Sequence, residues 1–207
     1  MCAKKALIIV DVQYDFLEGG SLAVAHGNEV IPVINTLRKR VKFDDVVFTK
    51  DWHPKGHCSF ASSHAGKALF EDIVLEDGTP QRLWPDHCVQ NSHGSDVHKD
   101  LSVEKDDFTV LKGQNPKLDS YSAFFDNAKK AKTTLHEHLQ NKGISEVFVT
   151  GIALDYCVFA TAVDAHDLGF KTNVVVDATR GVAPDTSEEA KKKLTEKGIT
   201  LIQSTEI

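Results

Sequence analysis

The sequence predicts an α/β fold: a doubly wound, mostly parallel six-stranded sheet with helices on both faces, in a Rossmann-like three-layer arrangement. Three observations lead there. Short apolar runs, many of them β-branched, alternate along the chain with amphipathic segments, the pattern of a parallel sheet covered on both sides. The connections between them are short except across 52–107. Reactive side chains also recur at the carboxyl ends of successive runs, where ligands bind in sheets of this kind.

Taken in order, residues 6–10 (Ala-Leu-Ile-Ile-Val) are a continuous apolar run ending on Asp11 and predict the first strand. Asn28 is a candidate cap for a helix running to about Arg40, with Pro32 close enough to its first turn to be tolerated. A second strand spans 45–49 and leads to Lys50-Asp51. From Trp52 to about Asp107 the chain is polar, has little periodicity and holds six of the ten histidines. A connection of that length in a compact domain is usually functional. A third strand, 108–111, ends on Lys112-Gly113. Helix 131–142 stops at Gly143, and strand 146–150 follows. From Asp155 the pattern turns helical, with small and apolar residues at Val158, Ala162 and Ala165, and a helix over 156–168 is closed by Gly169. Strand 171–176, helix 185–197 closed by Gly198, and strand 199–202 complete the chain. A single domain over 1–207, with a long insertion at about 52–107, is the expectation.

Composition narrows the function classes. The net charge is −6 and there is no long basic run, which argues against nucleic acid or an anionic membrane as partner. Lys191-Lys192-Lys193 reads as a solvated helix face. The cysteines at 2, 58, 88 and 157 form no Cys-x-x-Cys pair, excluding a zinc ribbon and a thioredoxin motif. The first five residues lead directly into the first strand, too short for a signal-peptide core, and no apolar stretch is long enough to span a bilayer. A reducing, cytoplasmic setting with free thiols follows as the expectation. No strand is followed by G-x-G-x-x-G, so a dinucleotide site is not expected.

The segment Val147 to Cys157 reads as a buried strand, a turn permitted by Gly151, and a helix with a cysteine in its first turn. A thiol there feels the positive end of the helix macrodipole, which favours the thiolate. The backbone N–H groups of such a turn can receive a developing oxyanion. A lone cysteine is more often a small core residue. However, Asp11, Asp51, Lys112 and Cys157 occupy equivalent strand-end positions, which turns the balance toward a reactive cluster. Asp51-Trp52-His53-Pro54 adds a second signal. In an extended segment, residues 51 and 53 point to one side, and Pro54 keeps His53 out of the helical region. A carboxylate and an imidazole so placed can hold a divalent metal. His87, in Leu83-Trp84-Pro85-Asp86-His87-Cys88, can supply a third ligand, and His57, Cys58, His64 and Cys88 are further candidates. Asp15 and Glu18 read as loop carboxylates.

These residues carry a resemblance. Ile9 to Phe16, Asp51-Trp52-His53-Pro54, Leu83 to Val89, Lys112-Gly113 and Val149 to Val158 together resemble the nicotinamidase branch of the isochorismatase-like cysteine hydrolase superfamily. The match runs nearly the whole length. The W-P-x-H-C element joined to D-W-H-P is specific to that branch. The resemblance implies Asp11, Lys112 and Cys157 as a catalytic triad, and Asp51, His53 and His87 as ligands of one divalent metal. Zinc is the first expectation for that metal, with iron or manganese as alternatives, and His57 is a further candidate ligand. It also implies a cis peptide before Ala153, an oxyanion hole from the Ala153 and Cys157 N–H groups, and a ring pocket lined by Phe16, Trp84 and Tyr121. The implied substrate is nicotinamide, cleaved to nicotinate and ammonia for NAD salvage, with pyrazinamide also deamidated. A homo-oligomer is left open.

Elementary chemistry agrees. Lys112 is a cation that favours the thiolate and keeps Asp11 ionised. Asp11 can take the thiol proton and hand it to the departing amine, while the thiol forms a thioester. Two other readings compete: another small-amide or carbamoyl hydrolase of the same superfamily, and an inactive relative that only binds metal or a ligand. A redox-sensing thiol is weakened by the lack of a resolving cysteine near Cys157 in the sequence.

Overall fold

A computed structural model of the chain describes residues 3–207; Cys2 lies outside the described residues. The main sheet has six strands in the order β5-β2-β1-β6-β7-β8. They are β1 (Lys4–Val10), β2 (Asp45–Asp51), β5 (Phe108–Lys112), β6 (Ile144–Ile152), β7 (Lys171–Arg180) and β8 (Thr200–Ile202). Every neighbouring pair in it is parallel. Strands β3 (Asp72–Val74) and β4 (Pro80–Arg82) form a separate antiparallel hairpin.

Alternation along β1 shows why both faces need cover. Ala6, Ile8 and Val10 point into one apolar cluster, with Leu135 and Leu139 of α2 (Leu135–Lys142), Ala162 and Ala165 of α3 (Phe159–Asp167), and Leu194 of α4 (Pro184–Glu196). Leu7 and Ile9 point into the other, with Val30, Ile31, Ile34 and Leu37 of α1 (Val30–Arg40). All five of those β1 side chains are fully buried, and removal of a Leu or Ile side chain of this kind from water is worth about 1.5–3 kcal/mol.

Several local expectations differ from the structure. Asn28 does not cap α1. It sits in a 3₁₀ turn, Gly27–Glu29, and its side-chain carbonyl accepts the Glu18 N–H at 2.9 Å instead. The helix expected over 131–142 begins only at Leu135. Before it, Asp126 receives the N–H groups of Ala128, Lys130 and Ala131, so a side chain satisfies backbone that a helix would otherwise bond. The 52–107 segment contains the β3–β4 hairpin and bridges that join His53 to Val89 and Phe60 to Trp84. Lys191, Lys192 and Lys193 pair with Glu188, Glu196 and Glu189 along α4, as a solvated face should.

The chain crosses from the β2–β5 half of the sheet to the β6–β7–β8 half at the β1/β6 pair. In doubly wound sheets that reversal opens a crevice at the carboxyl ends of the strands. Gly151 allows the two strands to meet there: its φ is +103°, and a Cβ on it would lie 2.0 Å from the Val10 carbonyl oxygen.

Candidate active site

Within this crevice, Lys112, the last residue of β5, is enclosed. Its ammonium lies 2.9 Å from Asp11 Oδ2, 3.4 Å from Cys157 Sγ and 3.0 Å from the Ser120 carbonyl, and it donates to Asp51 Oδ1. Asp11 is held in a left-handed conformation at φ +48°, which Asp tolerates better than most residues. Thr49 fixes it from both ends: the Asp11 N–H donates to Thr49 Oγ1 at 3.1 Å, and that hydroxyl donates to Asp11 Oδ1 at 2.5 Å. Gln13 locks the end of β2, accepting the Asp51 N–H at 2.8 Å and donating to the carbonyls of Asp51 and Ser95 at 2.9 Å each.

Cys157 lies in a wide π-type turn, Leu154–Val158, between β6 and α3; the expected first helical turn is this π turn. The Ile152–Ala153 peptide is cis. Ala153 and Cys157 line a pocket together with Phe16, Trp84, Tyr121, Tyr156, His87, Asp51, Asp119, Leu22, Val24 and Val182. Its empty space is about 400 Å³, with open solvent at its mouth included. Trp84 Nε1 donates to the Tyr121 hydroxyl at 3.2 Å, and the Trp84 ring stands edge-on to Tyr156 at 4.9 Å. The walls are therefore mostly aromatic and apolar, with the charged groups gathered at one end.

Burial and charge set the protonation states. Burial pushes the Asp11 carboxyl up to about 6, with Lys112 opposing a larger rise. For Asp51, burial is outweighed by Lys112 and His53, and its carboxyl is held below the usual carboxylate range. Lys112 is likewise buried, yet its two carboxylates keep it firmly charged. Burial pushes the Cys157 thiol well above its ordinary value, against Lys112, and Asp11 and Asp51 push the same way. The favouring of the thiolate expected from Lys112 and the helix end is therefore outweighed by burial, because one cation already matched by two carboxylates does not ionise a third buried acid.

The metal-ligand candidates fall in two groups that share His53. One ligand atom from each of Asp51, His53 and His87 lies within 4.8 Å of the others, and the same holds for His53, His57 and Asp119. His53 Nε2 and His57 Nε2 are buried without a hydrogen-bond partner. The other ring nitrogens are anchored: His53 Nδ1 to the Gly113 carbonyl at 2.9 Å, His87 Nδ1 to the Pro85 carbonyl at 2.8 Å, and His57 Nδ1 to Ser59 Oγ at 2.8 Å. Gly113 lets the His53 ring approach, since a Cβ there would lie 2.4 Å from His53 Cε1. Anchoring one ring nitrogen and leaving the other free is how metal-binding histidines are oriented. Burial, then His53, lowers His87, and the same causes take His57 to about 4. Asp51 outweighs burial to raise His53, so the cluster favours one positive charge at its centre, which a bound cation can supply in place of a proton. Orphaned nitrogens, a hard carboxylate and borderline imidazoles fit a divalent metal. A third cluster, Asp11, Asp51 and Cys157, surrounds the Lys112 ammonium and so already contains its cation.

The structure thus brings together Asp11, Lys112 and Cys157, sets Asp51, His53 and His87 beside them, and places Phe16, Trp84 and Tyr121 around one pocket. Cys58, His64 and Cys88 lie outside these clusters; His64 Nε2 donates to the Cys58 carbonyl at 2.7 Å. Asp15 is more than a loop carboxylate, since it accepts the Cys88 N–H at 2.7 Å and braces the residue after His87. Thr49, Gln13, Asp119 and Tyr156 were not anticipated. Thr49 alone had a signal, because it lies two residues before Asp51 on one strand and therefore on the same side.

The family model described as "Isochorismatase domain" matches residues 5–206. A nicotinamidase of Escherichia coli is 43% identical over 95% of this chain and 93% of its own length. A solved nicotinamidase/pyrazinamidase of Acinetobacter baumannii superposes with a TM-score of 0.94, at 43% identity, covering 100% of this chain and 99% of the other. A pyrazinamidase of Pyrococcus horikoshii, solved in complex with zinc, gives a TM-score of 0.81 at 33% identity, covering 97% and 99%.

Proposed function

The chain belongs to the isochorismatase domain family, and we propose that within it this protein is a nicotinamidase, an amidohydrolase that converts nicotinamide to nicotinate and ammonia and also deamidates pyrazinamide. The observation that carries this reading is the Lys112 ammonium within bonding distance of both Asp11 and Cys157, with Cys157 lining a largely aromatic and apolar pocket. Near-full-length similarity to nicotinamidases supports the substrate assignment.

In this reading Cys157 is the nucleophile. Its proton passes to Asp11 as Sγ bonds the amide carbon, and the carbonyl oxygen takes up negative charge facing the Ala153 and Cys157 N–H groups. Asp11 returns the proton to the nitrogen, the C–N bond breaks, and ammonia leaves behind a thioester. Water then loses a proton to Asp11 and attacks the thioester, the C–S bond breaks, the thiol recovers that proton, and nicotinic acid leaves and ionises to nicotinate. A carboxyl near 6 suits both directions of transfer close to neutral pH. Lys112 holds Asp11 and Asp51 in place and balances their charge. Phe16, Trp84 and Tyr121 hold the ring.

Asp51, His53 and His87 would bind one divalent metal, with His57, grouped instead with His53 and Asp119, a further candidate; zinc is the first candidate, and iron and manganese have compatible chemistry. When bound, the metal would supply a Lewis-acid contact for the pyridine nitrogen. The product acid would re-enter NAD synthesis. A single domain working in the cytoplasm fits the free buried thiols at 58, 88 and 157. Ammonia release from nicotinamide, pyrazinamide, benzamide and acetamide tests the assignment. Nicotinamide and pyrazinamide should lead by a wide margin, and equal rates on acetamide would refute it.

A further inference from the structure

Asp155 ties the turn that carries Cys157 to the loop that walls the ring pocket. Its Oδ1 accepts the Val182 N–H at 2.9 Å, its Oδ2 accepts the Ala183 N–H at 3.2 Å, and the Thr186 hydroxyl donates to Oδ2 at 2.5 Å. Asp155 and Cys157 share the same π-type turn. At the other end of this link, Val182 lines the pocket although its side is open to solvent. Ala183 precedes the first turn of α4 and has no side chain with which to cap it. The carboxylate of Asp155 therefore supplies, from a different element, the negative charge that a helix N-terminus favours. Hydrogen bonds onto an ionised acceptor are the strong ones, and three on one carboxylate leave the loop little freedom.

We propose that Asp155 is a positioning residue: by holding Val182 and the Cys157 turn at a fixed separation it sets the width of the ring pocket and selects for a small flat ring. This rests on the reading of Cys157 as nucleophile and of the pocket as the ring site. Asp155 touches no reacting atom in this account and acts through its neighbours. Misplacement of reacting groups by about 1 Å can cost about 10²-fold in rate, so loosening the link should show in turnover as well as in stability.

The test uses the full chain with Asp155→Ala, Asp155→Asn and Thr186→Val. The measurements are kcat and KM for nicotinamide and for a ring-methylated nicotinamide, thermal midpoint, and the rate at which iodoacetamide labels Cys157. Asp155→Ala should lower kcat/KM for nicotinamide by about 10²-fold, through both kcat and KM, and should narrow the preference for the unsubstituted ring. Thr186→Val, which removes one donor and leaves the carboxylate, should shift all readouts in the same direction by less. A purely structural brace would lower the thermal midpoint and leave kcat, KM and ring preference of the folded enzyme at wild-type values, and that result overturns the proposal. If Asp155→Ala does not fold, Asp155→Asn and Thr186→Val decide by the same criteria. If the wild-type protein releases no ammonia from nicotinamide, the functional reading fails instead. The labelling rate of Cys157 then judges the link alone: a change in the Asp155 variants supports it and an unchanged rate overturns it.

Discussion

Lys112 and Asp51 are bonded to each other across the boundary between the two halves of the site: the Lys112 ammonium donates to Asp51 Oδ1, while Asp51 Oδ2 lies 3.6 Å from His53 Nε2 and 3.8 Å from His87 Nε2. One carboxylate thus belongs to the proposed metal centre and is bonded to the lysine of the proposed catalytic trio. The order of strands in the sheet explains it, since β5 and β2 are neighbours and Asp51 and Lys112 are paired in register at their ends.

Removing that cation should therefore damage the fold as well as the chemistry. Lys112→Ala leaves Asp11 and Asp51 buried together with no balancing charge, and breaking a buried pair in this way costs about 3–5 kcal/mol. Urea unfolding should show a loss of that size together with abolished turnover. A variant as stable as the wild type would show that Lys112 does not hold the two carboxylates.

Thr49 should matter through Asp11. Thr49→Val removes the hydroxyl that both accepts the Asp11 N–H and donates to its carboxylate, interactions worth about 1.5–3 kcal/mol for a charged partner. A drop in kcat of at least roughly tenfold follows, with Thr49→Ser close to wild type because the hydroxyl remains. Equal turnover in Thr49→Val and wild type would remove Thr49 from the positioning of the base.

The pH profile should report the raised Asp11. The base must be ionised to take the thiol proton, and burial puts its carboxyl at about 6. Activity should accordingly be present above that value and fall as the pH drops through it. An acid limb centred at the ordinary carboxylate value near 4 would mean that a different group accepts the proton.

Removing metal should cost most for substrates that offer it a nitrogen. Nicotinamide and pyrazinamide carry one meta to the carboxamide, and benzamide does not. Chelation, or His53→Ala, should collapse the preference for nicotinamide over benzamide while iodoacetamide still labels Cys157. Equal discrimination before and after chelation, with metal content checked, would leave the metal a structural role only.

How much of this was legible in the sequence depends on how local each signal is. Asp11, Asp51, Lys112 and Cys157 stood out because each follows an apolar run, and a parallel sheet gathers such ends in one crevice. The β3–β4 hairpin was hidden because its strands, Asp-Ile-Val and Pro-Gln-Arg, are three residues each, too short to give a period-2 pattern. Asp119 and Gln13 were hidden because a buried polar residue looks like a surface one until its partners are known. The raised Cys157 thiol was hidden for a similar reason. Lys112 and the helix end could be read from the chain, whereas the burial of Cys157 and the two carboxylates already engaging Lys112 are tertiary facts.

The most direct test of the central claim is the rate of ammonia release from nicotinamide by Cys157→Ala, measured beside Cys58→Ala and Cys88→Ala. If Cys157 forms the thioester, its variant should be folded, with a thermal midpoint close to wild type, and without detectable turnover, while the other two retain substantial activity. A Cys157→Ala protein that releases ammonia at a near wild-type rate would contradict the account.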